Sequence, residues 1–174
     1  MPIEGTAWPQ ALYTALRGFG VNLFTSVPDA GHRQLLELAA ADPDVTHVAL
    51  TSEQEGIGVT TGAWLGGRRG VLLMQSSGVG NCVNAIASFP AACHLPLLML
   101  VTMRGEWGEG NPWQIPMGQA VEPVFRTLGV QCLRLETGAD AEPVLQAAAT
   151  LAFDAGSMVA VVISQRLIGA KVFQ

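Results

Sequence analysis

Four short segments of this chain combine residue types that can do acid–base or anion chemistry. They are Val27-Pro28-Asp29-Ala30-Gly31-His32, Ser52-Glu53-Gln54-Glu55-Gly56, Gln75-Ser76-Ser77-Gly78-Val79-Gly80-Asn81 and Met103-Arg104-Gly105-Glu106. Glu53 and Glu55 open a helical stretch, where the helix dipole favours a carboxylate. Either acid fits a first-turn role, and periodicity does not separate a reactive acid from an ordinary one. Gln75 to Asn81 is a glycine turn that would point backbone amides at an anion, or pack a tight strand-to-helix turn. It contains neither GxGxxG nor GKS/GKT, the fingerprints that make a phosphate cradle specific. Arg104 and Glu106 are placed to pair with each other. His32 ends the first of these segments, His47 and His94 read as structural, and no metal-ligand set emerges.

Short apolar runs must position these segments. Strands are expected at 21–27, 46–50, 71–75, 96–102, 130–135 and 159–163. Helices are expected at 11–19, from Gly31 through Leu38, and at 52–65, 78–89, 119–128 and 139–155. The strands are near-continuous apolar runs, so both sheet faces are covered. The alternation predicts an α/β fold: a doubly wound, mainly parallel sheet of about six strands with helices on both faces. Ligands of such sheets bind beyond the carboxyl ends of the strands, and all four segments fall there. Residues 104–114 carry no periodicity, which in a compact domain marks a functional or mobile loop. Residues 166–174 read as a tail leaving the sheet.

Composition narrows the classes. The 174 residues fit one domain, 1–174. Hydrophobic residues make up 49% and charged residues 13%, which excludes a disordered chain. A net charge of −5 with no basic stripe excludes a general nucleic-acid binder. The apolar content also suggests that part of the surface is covered by another chain. The longest apolar run, 95–101, is too short to span a bilayer. Cys82, Cys93 and Cys132 form no CxxC pair, and the first residues lack a signal-peptide pattern. These features lead to the expectation of a cytoplasmic protein without membrane or nucleic-acid partners.

The segments also resemble a known family. Ser52 to Ala63 is similar to the glutamate helix of the pyrimidine-binding (PYR) domain of thiamine-diphosphate enzymes. In that family the glutamate precedes a helical glycine by nine positions. Gly62 lies nine beyond Glu53, so the resemblance selects Glu53 over Glu55. Leu73 to Ala85 resembles the MQNSGxGNxxNxL signature of phosphonopyruvate and sulfopyruvate decarboxylases. Val27-Pro28-Asp29 resembles their VPDS turn, and Arg104-Gly105-Glu106 and Gln114-Ile115-Pro116-Met117-Gly118 resemble their RGE and QxxMG segments. Within that family the chain is most similar to alpha subunits, free-standing PYR domains of about this length.

The resemblance implies a thiamine-diphosphate-dependent decarboxylation of a 2-oxo acid with a distal anion, giving an aldehyde and CO₂. Glu53 would be the catalytic acid facing N1′ of the cofactor's aminopyrimidine, with Pro28, Ser77 and Asn81 as further cofactor contacts. Gln75 and Gln114 would orient the substrate or intermediate. Arg104 would meet the distal anion, unless it pairs with Glu106, and His32 would be a further substrate contact. The family's GDG-plus-Asn motif, which holds Mg²⁺ and the diphosphate, is absent from the sequence. A beta subunit would carry it, in a hetero-oligomer with at least two copies of each chain. Two other readings stay open: a carboligating, acetolactate-synthase-like half, and a non-catalytic regulatory partner. Ala30 and Ser76 depart from the family's Ser and Asn, and Trp107 and Trp113 add apolar bulk near the mouth. These departures bear on which 2-oxo acid is used.

Overall fold

The structure is a computed structural model and describes residues 8–169. Residues 71–74, Val-Leu-Leu-Met, are all buried, and such a run is stable only as a strand covered on both faces. It forms the middle of β3 (Arg69–Gln75). The other strands are β1 (Val21–Ser26), β2 (Thr46–Ala49), β4 (Leu97–Thr102), β5 (Gln131–Leu135) and β6 (Met158–Ile163). They pair in the order β2-β1-β3-β4-β6-β5, and every pairing is parallel. The helices are α1 (Trp8–Gly18), α2 (Arg33–Ala41), α3 (Glu53–Leu65), α4 (Val79–Ile86), α5 (Gln114–Thr127), α6 (Ala141–Ala149) and the short α7 (Gln165–Ile168).

Successive strand side chains point to opposite faces, so each strand serves two cores. Leu73, Leu100 and Val161 pack with Leu12 and Leu16 of α1, Leu35 of α2 and Leu145 of α6. Leu72, Met74, Met99 and Val101 pack with Ile57 of α3, Val79 and Ile86 of α4, and Val121 and Phe125 of α5. Full burial of each such side chain contributes about 1.5–3 kcal/mol. Helices therefore cover both faces of a six-stranded, all-parallel, doubly wound sheet.

The chain leaves β1 toward the α2 face and leaves β3 toward the α4 face, while β1 and β3 are neighbours. Their carboxyl ends flank the topological switch point, where open α/β sheets form a ligand crevice.

Among the boundaries that differ from expectation, three have a local physical reason. α5 starts at Gln114 rather than residue 119. Pro116 falls in its first turn, where a missing N–H costs nothing, so the proline there is no break. β3 starts at Arg69, because residues 69 and 70 pair with β1. The expected tail begins as a helical turn: α7 is capped by Ser164, whose side chain accepts from the Arg166 amide, and Leu167 and Ile168 pack on the core. The rest of that tail, 170–174, and the first residues read for a signal sequence lie outside the described residues. No helix among the described residues is long and apolar enough to cross a membrane.

Candidate active site

The two acids at the start of α3 have different fates. Glu55 is exposed, and its Oε2 accepts from the Thr51 amide at 2.9 Å and the Thr51 hydroxyl at 3.0 Å. This is a capping arrangement, and those hydrogen bonds hold the Glu55 carboxyl below its usual range. Glu53 is buried at 8% exposure. Its Oε2 accepts from Asn81 Nδ2 at 2.8 Å, which ties α3 to α4. The rest of its carboxylate lies against Gly78: a Cβ at residue 78 would come within 2.5 Å of Glu53 Cγ and closer still to Oε1. Glycine at 78 is thus the space that Glu53 occupies. Beneath them the buried Cys82 thiol is pushed up to about 12, by burial first and by the Glu53 charge second. It stays a neutral packing group rather than a nucleophile.

A second cluster sits at the other end of the same turn. Gln75 Nε2 donates to Asp29 Oδ1 at 3.0 Å, while Gln75 Oε1 accepts from Ser77 Oγ at 3.0 Å and from Gln114 Nε2 at 3.2 Å. Asp29 Oδ2 accepts from the Thr102 hydroxyl at 2.6 Å and the Gly31 amide at 3.1 Å. One relay of donors thus joins the ends of β1, β3 and β4 to the start of α5. Gln114 Oε1 is buried without a partner among the described residues, an acceptor facing the cost of lost hydration.

Arg104 follows β4 and is 5% exposed at its side chain. It does not pair with Glu106. Its Nε and Nη2 both donate to Glu109, each at 2.6 Å. Glu109 also accepts from the Gly105 and Asn111 amides and from Gln165 Nε2. The Arg104 guanidinium, before these others, holds the Glu109 carboxyl well below the usual carboxylate range. Gln165 Oε1 accepts from the Glu106 and Trp107 amides, each at 2.9 Å. The aperiodic segment is therefore wound around one carboxylate and one amide. Gly105, at φ 79°, makes the reversal, and a side chain there would strike the Gln114 carbonyl at 2.5 Å. Glu106 faces the other way and binds Arg134 at 2.7 Å. Trp107 lies under the Arg166 guanidinium at 4.5 Å, and Trp107 and Trp113 are both exposed.

Arg104, Gln75, Asp29 and Thr102 line one cavity of about 160 Å³, closed at one side by Ile168 and Gly169. That is smaller than the roughly 300–1,000 Å³ of a whole-ligand pocket, so it fits one end of a small acid. Pro28 lines a different, wider depression of about 500 Å³ with Leu36 and His47. His32 lies below the rim rather than on it. It is 1% exposed, its Nε2 donates to the Met74 carbonyl at 3.2 Å, and its Nδ1 has no partner among the described residues. Burial lowers its basicity.

The structure therefore brings Glu53 to Asn81, and Gln75 to Ser77, Gln114 and the Arg104 cavity. It sets Pro28 to one side and His32 beneath. Asp29, Thr102, Glu109 and Gln165 were not singled out by sequence. Asp29 was visible in its turn, but nothing near it announced a partner 73 residues away.

Comparison with known proteins identifies the family. The family described as thiamine pyrophosphate enzyme, N-terminal TPP binding domain, matches residues 8–123. The alpha subunit of sulfopyruvate decarboxylase from Methanococcus maripaludis is 38% identical over 154 residues, covering 88% of this chain and 92% of that one. The corresponding subunit from Methanothermobacter thermautotrophicus is 40% identical over 121 residues, covering 70% and 73%. Among solved structures, a 2-oxoglutarate:ferredoxin oxidoreductase from Magnetococcus marinus shares the fold with a TM-score of 0.75. It does so at 14% identity over 92% of this chain and 29% of its own. With its doubly wound sheet, its buried glutamate and these relatives, the chain belongs to the family of the thiamine pyrophosphate enzyme N-terminal TPP binding domain, grouped with the sulfopyruvate decarboxylase alpha subunits.

Proposed function

We propose that this chain is the alpha subunit of a two-subunit, thiamine-diphosphate-dependent decarboxylase, acting on a 2-oxo acid with a distal anion of the sulfopyruvate or phosphonopyruvate type. The observation that carries the reading is Glu53: a buried acid at a helix start, with one oxygen tied to Asn81 and the other held over a glycine. Those residues fit the pyrimidine half of the cofactor. A carboxyl fixed on one side by an amide donor leaves its second oxygen for a ring nitrogen. Bound thiamine diphosphate supplies the electron sink for loss of CO₂.

The chain's own residues do the rest. Glu53 holds or takes a proton at N1′ of the aminopyrimidine, and Asn81 fixes the plane of its carboxyl group. Ser77 bounds the pyrimidine on the rim, and Pro28 approaches it from the neighbouring depression. Gln75 and Gln114 each keep a second amide N–H, beyond those given to Asp29 and Gln75, to donate to the reacting acid's carboxylate. Arg104 takes the distal anion, since a guanidinium matches oxoanion geometry. His32 acts on this site only through the backbone it supports.

The relatives matched over most of their length are named alpha subunits, which supports assigning the diphosphate and Mg²⁺ to a beta subunit. The site then forms where the chains meet, in an assembly with at least two copies of each. The three free cysteines suit a reducing compartment, the cytoplasm. Co-purification with the beta subunit, followed by assay of CO₂ release from sulfopyruvate, phosphonopyruvate and pyruvate, tests the reading. The complex should release CO₂ and aldehyde, and the isolated chain should do neither. A C–C-coupled acid as the main product would replace the reading with carboligation, and robust turnover by the isolated chain would overturn the shared site.

A further inference from the structure

We propose that Glu109 and Asp29 act as a charge filter around Arg104, making the cavity select a singly charged oxoanion head, such as a sulfonate, over a doubly charged phosphonate. The proposal rests on the reading that Arg104 meets the substrate's distal anion.

A guanidinium presents five N–H donors in a planar fork. Glu109 takes the Nε and Nη2 edge at 2.6 Å, which leaves the Nη1 end for a ligand. Both side chains are buried, at 5% and 3% exposure, so the pair is screened little by water. Glu109 itself is spent inward, on Arg104, the Gly105 and Asn111 amides, and Gln165. It cannot reach a substrate and acts only through Arg104. Its effect is twofold. It fixes the fork in one orientation, and it cancels the net charge that Arg104 would otherwise present.

Asp29 lines the same cavity. Its oxygens are held by Gln75, Thr102 and the Gly31 amide, all neutral donors that leave its charge in place. Among the described residues, Arg104 and Asp29 line the cavity and Glu109 holds Arg104 from behind, one cation against two carboxylates. Such a site offers directed N–H groups to an anion but little net attraction. A second negative charge on the ligand adds repulsion with no added donor. Removing one carboxylate should favour a dianion over a monoanion by roughly tenfold or more at these short, partly buried separations.

The test uses the complex with its beta subunit and measures binding by calorimetry at about pH 8.5, where a phosphonate carries its second charge. The probes are 3-sulfopropanoate and 3-phosphonopropanoate, which lack the keto group and cannot turn over. The wild type should bind the sulfonate more tightly. Glu109→Gln should move the ratio of dissociation constants toward the phosphonate by roughly tenfold, and Glu109→Asp, which keeps the charge, should leave the ratio near wild type. Arg104→Met should weaken both probes. If Arg104→Met leaves both affinities unchanged, the reading of Arg104 fails. If it weakens both while Glu109→Gln leaves the ratio unmoved, the filter is refuted and Arg104 stands. Should Glu109→Gln fail to assemble, Asp29→Asn decides by lifting the other negative charge: no shift toward the phosphonate overturns the proposal.

Discussion

Replacing Gly78 by alanine isolates the placement of Glu53 from its chemistry. Gly78 has φ −70° and ψ −20°, a conformation open to alanine, so the backbone carries no strain. Alanine even narrows the unfolded ensemble, which stabilises by about 0.4–1 kcal/mol. The cost is steric. A Cβ 2.5 Å from Glu53 Cγ must gain about 1 Å to reach ordinary contact. Glu53 would supply that movement by swinging its carboxyl off Asn81 and away from the turn. Overpacking of this kind costs about 1–3 kcal/mol, so the net loss is about 2 kcal/mol or less. In a chain of this size that lowers Tm by several degrees, roughly 2–4 °C per kcal/mol. A displacement of about 1 Å at a proton-transferring group is worth a loss near 100-fold in turnover. The assay is CO₂ release by the complex beside thermal unfolding of the variant. A folded Gly78→Ala complex with turnover within threefold of wild type would refute the idea that this contact sets Glu53.

Two further outcomes follow from the same geometry. Glu55→Gln keeps an acceptor for Thr51 and touches nothing in the cavity, so CO₂ release should stay within about twofold of wild type; a loss as large as that of a Glu53 variant would mean that the roles of the two acids are reversed. His32 is held neutral by burial, its basicity lowered from 6.5. The unfolded chain therefore binds this proton first, and stability falls as pH drops below about 6.5. His32→Leu should flatten that fall by up to about 1.4 kcal/mol per pH unit, read from denaturant midpoints between pH 5 and 7; an unchanged slope would show that His32 is already charged or solvated in the fold.

The sheet was legible because its strands are buried on both faces and read as apolar runs; residues 71–74 and 97–101 need no partner information to be recognised. Their order was not legible, since parallel crossovers leave no local trace. The start of α5 was hidden by Pro116, which looks like a break but sits in the first turn, and by Gly118 just after that turn. At the site, segment positions were readable and pairings were not. The nearest acid to Arg104 in sequence is Glu106, yet the reversal at Gly105 brings Glu109 to the fork and turns Glu106 toward Arg134. Gln165 lies 59 residues from the Glu106 amide it holds, and no periodicity predicts such a contact. Glu53 and Glu55 were equivalent by pattern. Family spacing favoured Glu53, and the fold supplies the physical difference: one carboxylate caps a helix in solvent and the other is enclosed by Asn81 and Gly78.

The reading stands or falls on Glu53→Gln in the complex with the beta subunit. Glutamine keeps the shape and an acceptor for Asn81 but cannot hold the proton that N1′ requires. Assembly and Tm should stay within a few degrees of wild type, while CO₂ release from the preferred 2-oxo acid falls by at least about 100-fold. A Glu53→Gln complex that assembles normally and releases CO₂ at the wild-type rate would contradict the account.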